Sequence, residues 1–208
     1  MPQSSRIKLE GWRKLMEAYG LPKNEDTYQK LIESYSEKHR AYHTLEHIDA
    51  CFKHLDSIHT ETERPHEIEL ALWFHDVIYA PFSKTNEEDS ADLARSFLLQ
   101  NEVDPEVIGR VYNLIVLTKE HVAPISHDGE VMLDVDLSIL GAEKTIYEQF
   151  EKNVRKEYKR VPSFIFKKKR REILKSFSDR SRLYHTDYFF DRLETQAKIN
   201  LKWAINTL

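Results

Sequence analysis

LALWFHDVIYA, residues Leu70 to Ala80, is the stretch that decides how this chain reads. Ile68, Ala71, Leu72, His75 and Ile78 recur at helical spacing, which predicts a helix that stops before Pro81. Leu70 to Phe74 and Val77 to Tyr79 are apolar, so this helix is greasy almost all round and reads as buried. His75 and Asp76 are the anomaly within it. An ionised carboxylate beside an imidazole is costly to bury unless a partner offsets the cost. A divalent cation is one such partner, and a hydrogen-bonded His–Asp pair without metal is the alternative.

Helical spacing continues on both sides. Upstream are Trp12, Leu15, Met16 and Tyr19, then Tyr28, Leu31, Ile32 and Tyr35, then Ile48, Cys51, Phe52 and Leu55. Downstream are Ser90, Leu93, Ala94, Phe97 and Leu98, followed by Val107, Ile108, Val111 and Ile115 after Pro105. Later stripes are Ile146, Phe150, Val154 and Tyr158, and Phe189, Leu193, Ala197, Leu201 and Ala204. Asp104 before Pro105 reads as an N-cap with proline at the first helical position. No stretch alternates with period two, glycines are few, and prolines fall between the stripes. The expectation is an all-α fold, one domain over residues 1–208 with about eight to ten helices.

Composition bounds the function. The chain has 208 residues, 40% of them apolar, which excludes a disordered chain. A single cysteine, Cys51, excludes a disulfide scaffold and fits a reducing compartment. The longest apolar run, Leu70 to Phe74, is far short of the ~20 residues of a membrane span. The charged residues Arg6 to Glu17 do not read as a secretory signal. A cytoplasmic protein without membrane contact is expected. The net charge is −4, but Arg155 to Arg182 carries twelve Lys or Arg against three acids. That segment reads as a solvated basic helix face in preference to a nucleic-acid site, because aromatic interleaving is thin and total charge is negative.

Two further clusters join His75-Asp76. In YHTLEHI, Tyr42 to Ile48, His43 and His47 are four apart, one turn on a helix face. A zinc protease would need Glu after the first His, and this chain has Thr44 there. In VMLDVDLSILG, Asp134 and Asp136 sit in an aliphatic frame, and a helix N-cap explains one such acid better than two. Mixed nitrogen and oxygen donors suit Mn²⁺, Fe²⁺, Co²⁺, Ni²⁺ or Zn²⁺ better than Ca²⁺.

With these segments in view, the ordered set YHTLEHI, LALWFHDVIYA, NEEDSA, LTKEH and LDVDLSILG, with VRKEY after it, resembles the HD domain superfamily of predicted metal-dependent phosphohydrolases. The resemblance implies His75, Asp76, one upstream His and one distal Asp as ligands of a divalent metal, Mg²⁺ included. YHTLEHI is similar to a cyclic-nucleotide phosphodiesterase signature, which implies His47 on the metal and His43 as general acid, although Thr44 stands where that signature has Asn. The context of the distal ligand implies Asp136, with Asp134 as a second candidate. Asp76 would also orient water, Glu87 or Glu88 would help activate it, and His121 would touch the phosphate or a second metal. NEEDSA also reads as ordinary helix-start chemistry, and His121 as a surface residue. Arg155, Lys156 and Arg160 are phosphate-clamp candidates, or the exposed face of their helix. His127 sits beside the turn signal Asp128-Gly129 and is discounted. His39, His54, His59, His66 and His185 lack a context that argues for ligation. The implied substrate is a small phosphorylated metabolite, a nucleotide first of all. A homodimer is compatible with the chain. A di-iron oxygenase and a nucleotide-sensing module are the alternatives.

Overall fold

The computed structural model describes residues 4–121, 124 and 126–208. Ten α-helices and two 3-10 turns account for its regular structure, with no strand among the described residues. The sequence reads residues 1–208 as one domain. The chain clusters into two compact units, Met1–Met132 and Leu133–Leu208, and α7 runs through the boundary between them.

The first unit holds α1 (Leu9–Ala18), α2 (Glu25–Tyr35), α3 (Leu45–Ile58), α4 (Pro65–Phe74), α5 (Asn86–Gln100), α6 (Pro105–Leu117) and the start of α7 (His127–Asp136). Helix α4 is its axis: Ile68 and Leu70 to Phe74 are fully buried. Trp73 meets Trp12 edge-on at 5.7 Å and Phe52 at 5.3 Å, an aromatic cluster that fixes α1 and α3 against α4. Asp104 caps α6 as expected, accepting from the Glu106 N–H at 2.7 Å. Asp128, a turn signal in the sequence, lies in the first turn of α7. Its carboxylate accepts from the N–H groups of Glu63 and Arg64 at 2.9 and 3.0 Å, so it anchors the segment that leads into α4.

His54, on α3, has no part in the candidate site. Burial lowers its pKa from 6.5, so the folded chain binds this proton less readily than the unfolded one. The unfolded state therefore gains protons first, and stability from this residue is lost as pH falls below 6.5. His54→Gln should lose less unfolding free energy than the parent between about pH 7 and about pH 5, measured by urea denaturation.

The second unit holds the end of α7, a 3-10 turn (Leu137–Gly141), α8 (Lys144–Glu157), α9 (Ser163–Ser178) and α10 (Asp187–Thr207). Helix α10 packs on the 3-10 turn, α8 and α9. Asn200 donates to the carbonyls of Leu140 and Ala142 at 2.9 and 2.8 Å, and the Tyr184 hydroxyl to Leu137 at 3.1 Å. The expected α8 stripe is shifted by one position at its start. Ile146 is exposed and Tyr147 is buried, its ring 6.3 Å from Trp203 of α10.

Candidate metal centre

Helix α4 ends at Phe74, six residues before the end that spacing predicts. Side chains from elsewhere take over the backbone there. All four of its last carbonyls find donors: Ala71 the His75 N–H, Leu72 the His75 ring, Trp73 the Tyr35 hydroxyl and Phe74 the Val77 N–H. Beyond the helix, Arg40 donates to the carbonyls of Asp76 at 2.7 Å and Val77 at 2.8 Å. Ser90 and Asn86, both in NEEDSA, bind the main chain of Ile78 and Ala80 at distances from 3.0 to 3.4 Å. His75 and Asp76 therefore occupy a turn latched on three sides, not the middle of a helix.

The expected face of His43 and His47 needs a similar correction. Helix α3 begins at Leu45, so His43 precedes it. Thr44 starts the helix: its carbonyl accepts from the His47 and Ile48 N–H groups, and its hydroxyl accepts from Glu46 at 3.3 Å. The two imidazoles are still neighbours, with ring centroids 6.3 Å apart.

His75 Nδ1 is 2.9 Å from the Leu72 carbonyl. A carbonyl only accepts, so Nδ1 carries a proton, and the inward-facing Nε2 either offers a lone pair to a cation or, in the imidazolium, donates to Asp76. That Nε2 lies 3.1 Å from Asp76 Oδ2 and 3.3 Å from His47 Nε2, and the latter two atoms are 3.6 Å apart. His47 Nδ1 is held from behind by the Tyr42 hydroxyl at 3.1 Å. Neutral His75 would set a lone pair against a carboxylate oxygen at close range. An imidazolium or a bound cation removes that repulsion. Burial works against the Asp76 carboxylate, but the charges of His75 and His43, a hydrogen bond from His75 and the charge of His47 outweigh it. The group is held well below the usual carboxylate range.

His47 and His75 are both buried, and their nitrogens belong to a group that could hold a metal ion. With Asp76 they form an N,N,O donor set of the kind that borderline divalent ions take, and each imidazole has the rear support typical of a metal ligand. His43 stacks on Tyr79 at 4.2 Å and touches Tyr42 edge-on at 4.9 Å.

No family model, curated protein or solved structure matches the chain.

The other expected residues fall in different places. Asp134 lies in α7, fully buried, and accepts from the His185 N–H, the Thr186 N–H and the Thr186 hydroxyl, each at 2.7 Å. Burial raises its pKa against those three bonds. This carboxylate fixes the segment that leads into α10. Asp134→Ala would strand three donors at 1–3 kcal/mol for each one left unmet, so a loss of about 3 kcal/mol is expected in urea unfolding. Metal content should stay at the parent level. Asp136 is the last residue of α7 and is half-buried.

Glu87 and Glu88 stand in the first turn of α5, where Glu88 pairs with Lys119. His121 follows α6 with φ 47°, in the left-handed region, and its N–H returns to the Leu117 carbonyl. Arg155 is turned inward. It donates to the carbonyls of Tyr158 at 2.5 Å and Val161 at 3.0 Å and stacks on Phe166 at 4.7 Å, so it closes the end of α8. Lys156 and Arg160 are exposed. His127 pairs with Glu130 at 3.1 Å in α7.

Sequence reasoning missed Arg40. Its side chain is fully buried between the rings of Tyr35 and Tyr79, at 5.3 and 5.4 Å. One guanidinium ties the carbonyl of His43, at 3.1 Å, to those of Asp76 and Val77. In the run Glu37-Lys38-His39-Arg40 it reads as one more surface charge. Only the neighbouring aromatic residues, Tyr35 and Tyr42, hint at a buried guanidinium.

Proposed function

We propose that this chain is a metal-dependent phosphohydrolase of the HD type. Its proposed substrate is a small phosphorylated metabolite, with nucleotides as the first class. The observation that carries this reading is the triangle of His47 Nε2, His75 Nε2 and Asp76 Oδ2, whose edges are 3.1, 3.3 and 3.6 Å. His47, His75 and Asp76 would hold the ion, and Asp136 as the distal ligand comes from the family resemblance. A bound divalent ion would polarise a phosphoryl oxygen and lower the pKa of water toward neutrality.

The chain's own groups would do the rest. Tyr42 and the Leu72 carbonyl hold the two imidazoles in orientation. His43, steadied by Tyr79 and by Arg40 at its carbonyl, would deliver a proton to the leaving oxygen. Asp76 would also accept a hydrogen bond from the attacking water. Glu87 and His121 enter through the resemblance alone, as groups that would assist water and phosphate. Lys156 and Arg160 are the exposed cations of the expected clamp.

The test is phosphate release from mononucleotides, dinucleotides, cyclic nucleotides and sugar phosphates, with Mn²⁺, Co²⁺, Ni²⁺, Mg²⁺ or Zn²⁺ added, and Fe²⁺ under anaerobic conditions. Metal-dependent release that disappears in Asp76→Ala is the expected result. A metal-loaded protein silent on the whole panel would overturn the reading. An absorbance band from an oxidised iron pair would then indicate the oxygenase, and tight nucleotide binding without turnover the sensor.

A further inference from the structure

The basic segment is where the structure departs most usefully from the expectation of a merely solvated face. Its arginines other than Arg160 have partners within the chain. Arg155 caps α8, and Arg170 forms a two-pronged pair with Glu151 at 2.8 and 3.0 Å. Arg171 donates to the Ile205 carbonyl, Arg180 stacks on Phe177 at 4.8 Å, and Arg182 holds the Tyr184 carbonyl and Asp187, each at 2.7 Å. The cations left on the surface are Lys156, Lys159, Arg160, Lys167, Lys168 and Lys175, with Lys169 paired to Glu172.

Most of them lie close along the chain to the tip formed by the end of α8, the turn through Pro162 and the start of α9. Two large apolar side chains stand out from that tip. Phe164 is 74% exposed, the most exposed large hydrophobic residue among those described, and Ile165 beside it is 42% exposed. Phe164, Lys168 and Lys175 follow helical spacing along one face of α9. Two adjacent anchors ringed by lysines match an anionic membrane surface in both chemistry and charge. The apolar pair enters the acyl boundary, and the ammonium groups meet lipid phosphates and carboxylates.

We propose that the α8–α9 tip is a peripheral docking surface for an anionic lipid bilayer. Among the described residues no helix is long and apolar enough to cross a membrane, and lying on one makes no such demand. RNA fits less well. Phe164 is the one exposed ring at the tip, too few for a run of stacked bases, and the guanidinium forks other than Arg160 are engaged. A second copy of the chain also fits less well. Two side chains fall far short of the roughly 800 Å² per partner that a stable protein interface buries.

The test uses the full-length chain and sedimentation with phosphatidylcholine vesicles containing about one third phosphatidylserine. Binding at low salt that weakens as salt rises, with none to pure phosphatidylcholine, is expected. The pair Phe164→Ser and Ile165→Ser should weaken it at least about tenfold. The pair Lys167→Gln and Lys168→Gln should weaken it about thirtyfold. These positions are exposed, so circular dichroism should match the parent. Failure to bind anionic vesicles at low salt overturns the proposal. So does undiminished binding by the Phe164→Ser, Ile165→Ser protein. Retardation of single-stranded RNA without vesicle binding would assign the tip to nucleic acid. A parent dimer dispersed by Phe164→Ser, again without vesicle binding, would assign it to self-association.

Discussion

On the proposed reading, Asp76→Ala should lose divalent-metal binding and, with it, metal-dependent phosphate release. Asp76 Oδ2 lies within 3.6 Å of both buried imidazole nitrogens, so its removal takes away the charged member of the donor set. The two imidazoles are then left without their adjacent carboxylate, whose negative charge no longer offsets that of a divalent ion. Changes one shell further out typically cost 10–100-fold in metal affinity, so the direct loss should exceed about a hundredfold. Elemental analysis after dialysis, with phosphate release on the responsive substrate, measures both effects. Asp76→Asn refines the result, since it keeps the shape and one oxygen donor but not the charge. Normal metal content in Asp76→Ala would remove this residue from the ligand set.

His43→Ala should behave in the opposite way, with full metal content and a rate reduced by about 10²–10⁴-fold, the usual range for a general acid. His43 stands outside the triangle, 6.3 Å from the His47 ring, and packs on Tyr79 and Tyr42. Arg40 fixes its main chain, so the substitution should leave the turn intact. The defect should be smaller on substrates whose leaving group needs no proton, such as a nitrophenyl ester. Loss of metal in His43→Ala would exchange the roles of His43 and His47. An equal defect on both kinds of substrate would remove it as the acid.

Helices whose apolar spacing matches their buried face were legible from sequence. Ile48, Cys51, Phe52 and Leu55 are all buried on α3, and Asp104 caps α6. The end of α4 was not legible, because the competitors for its backbone, Arg40, Asn86 and Ser90, come from outside its own window. His43 was placed on a helix for a related reason. Four-residue spacing is compatible with a helix, but Thr44 starts one there. The acids of NEEDSA drew attention as chemistry, whereas Asn86 and Ser90 in the same segment shape the turn. Asp134 and Asp136 look alike in sequence, and only the fold shows that three donors occupy Asp134. A ligand pattern identifies residue types, while the division of labour among them depends on contacts distant along the chain.

Arg40 reads the turn through its carbonyls and not through its side chains. Backbone oxygens are the same for every amino acid. Ile78, exposed and held through its main chain by Ser90, can therefore drift in identity during evolution, or be varied in a library, without disturbing the position of Asp76, whereas Val77 is buried in the core. Arg40 has no comparable freedom, since lysine lacks the fork that spans three acceptors. Mutational tolerance around the centre should thus be lopsided, broad at Ile78 and narrow at one distant guanidinium.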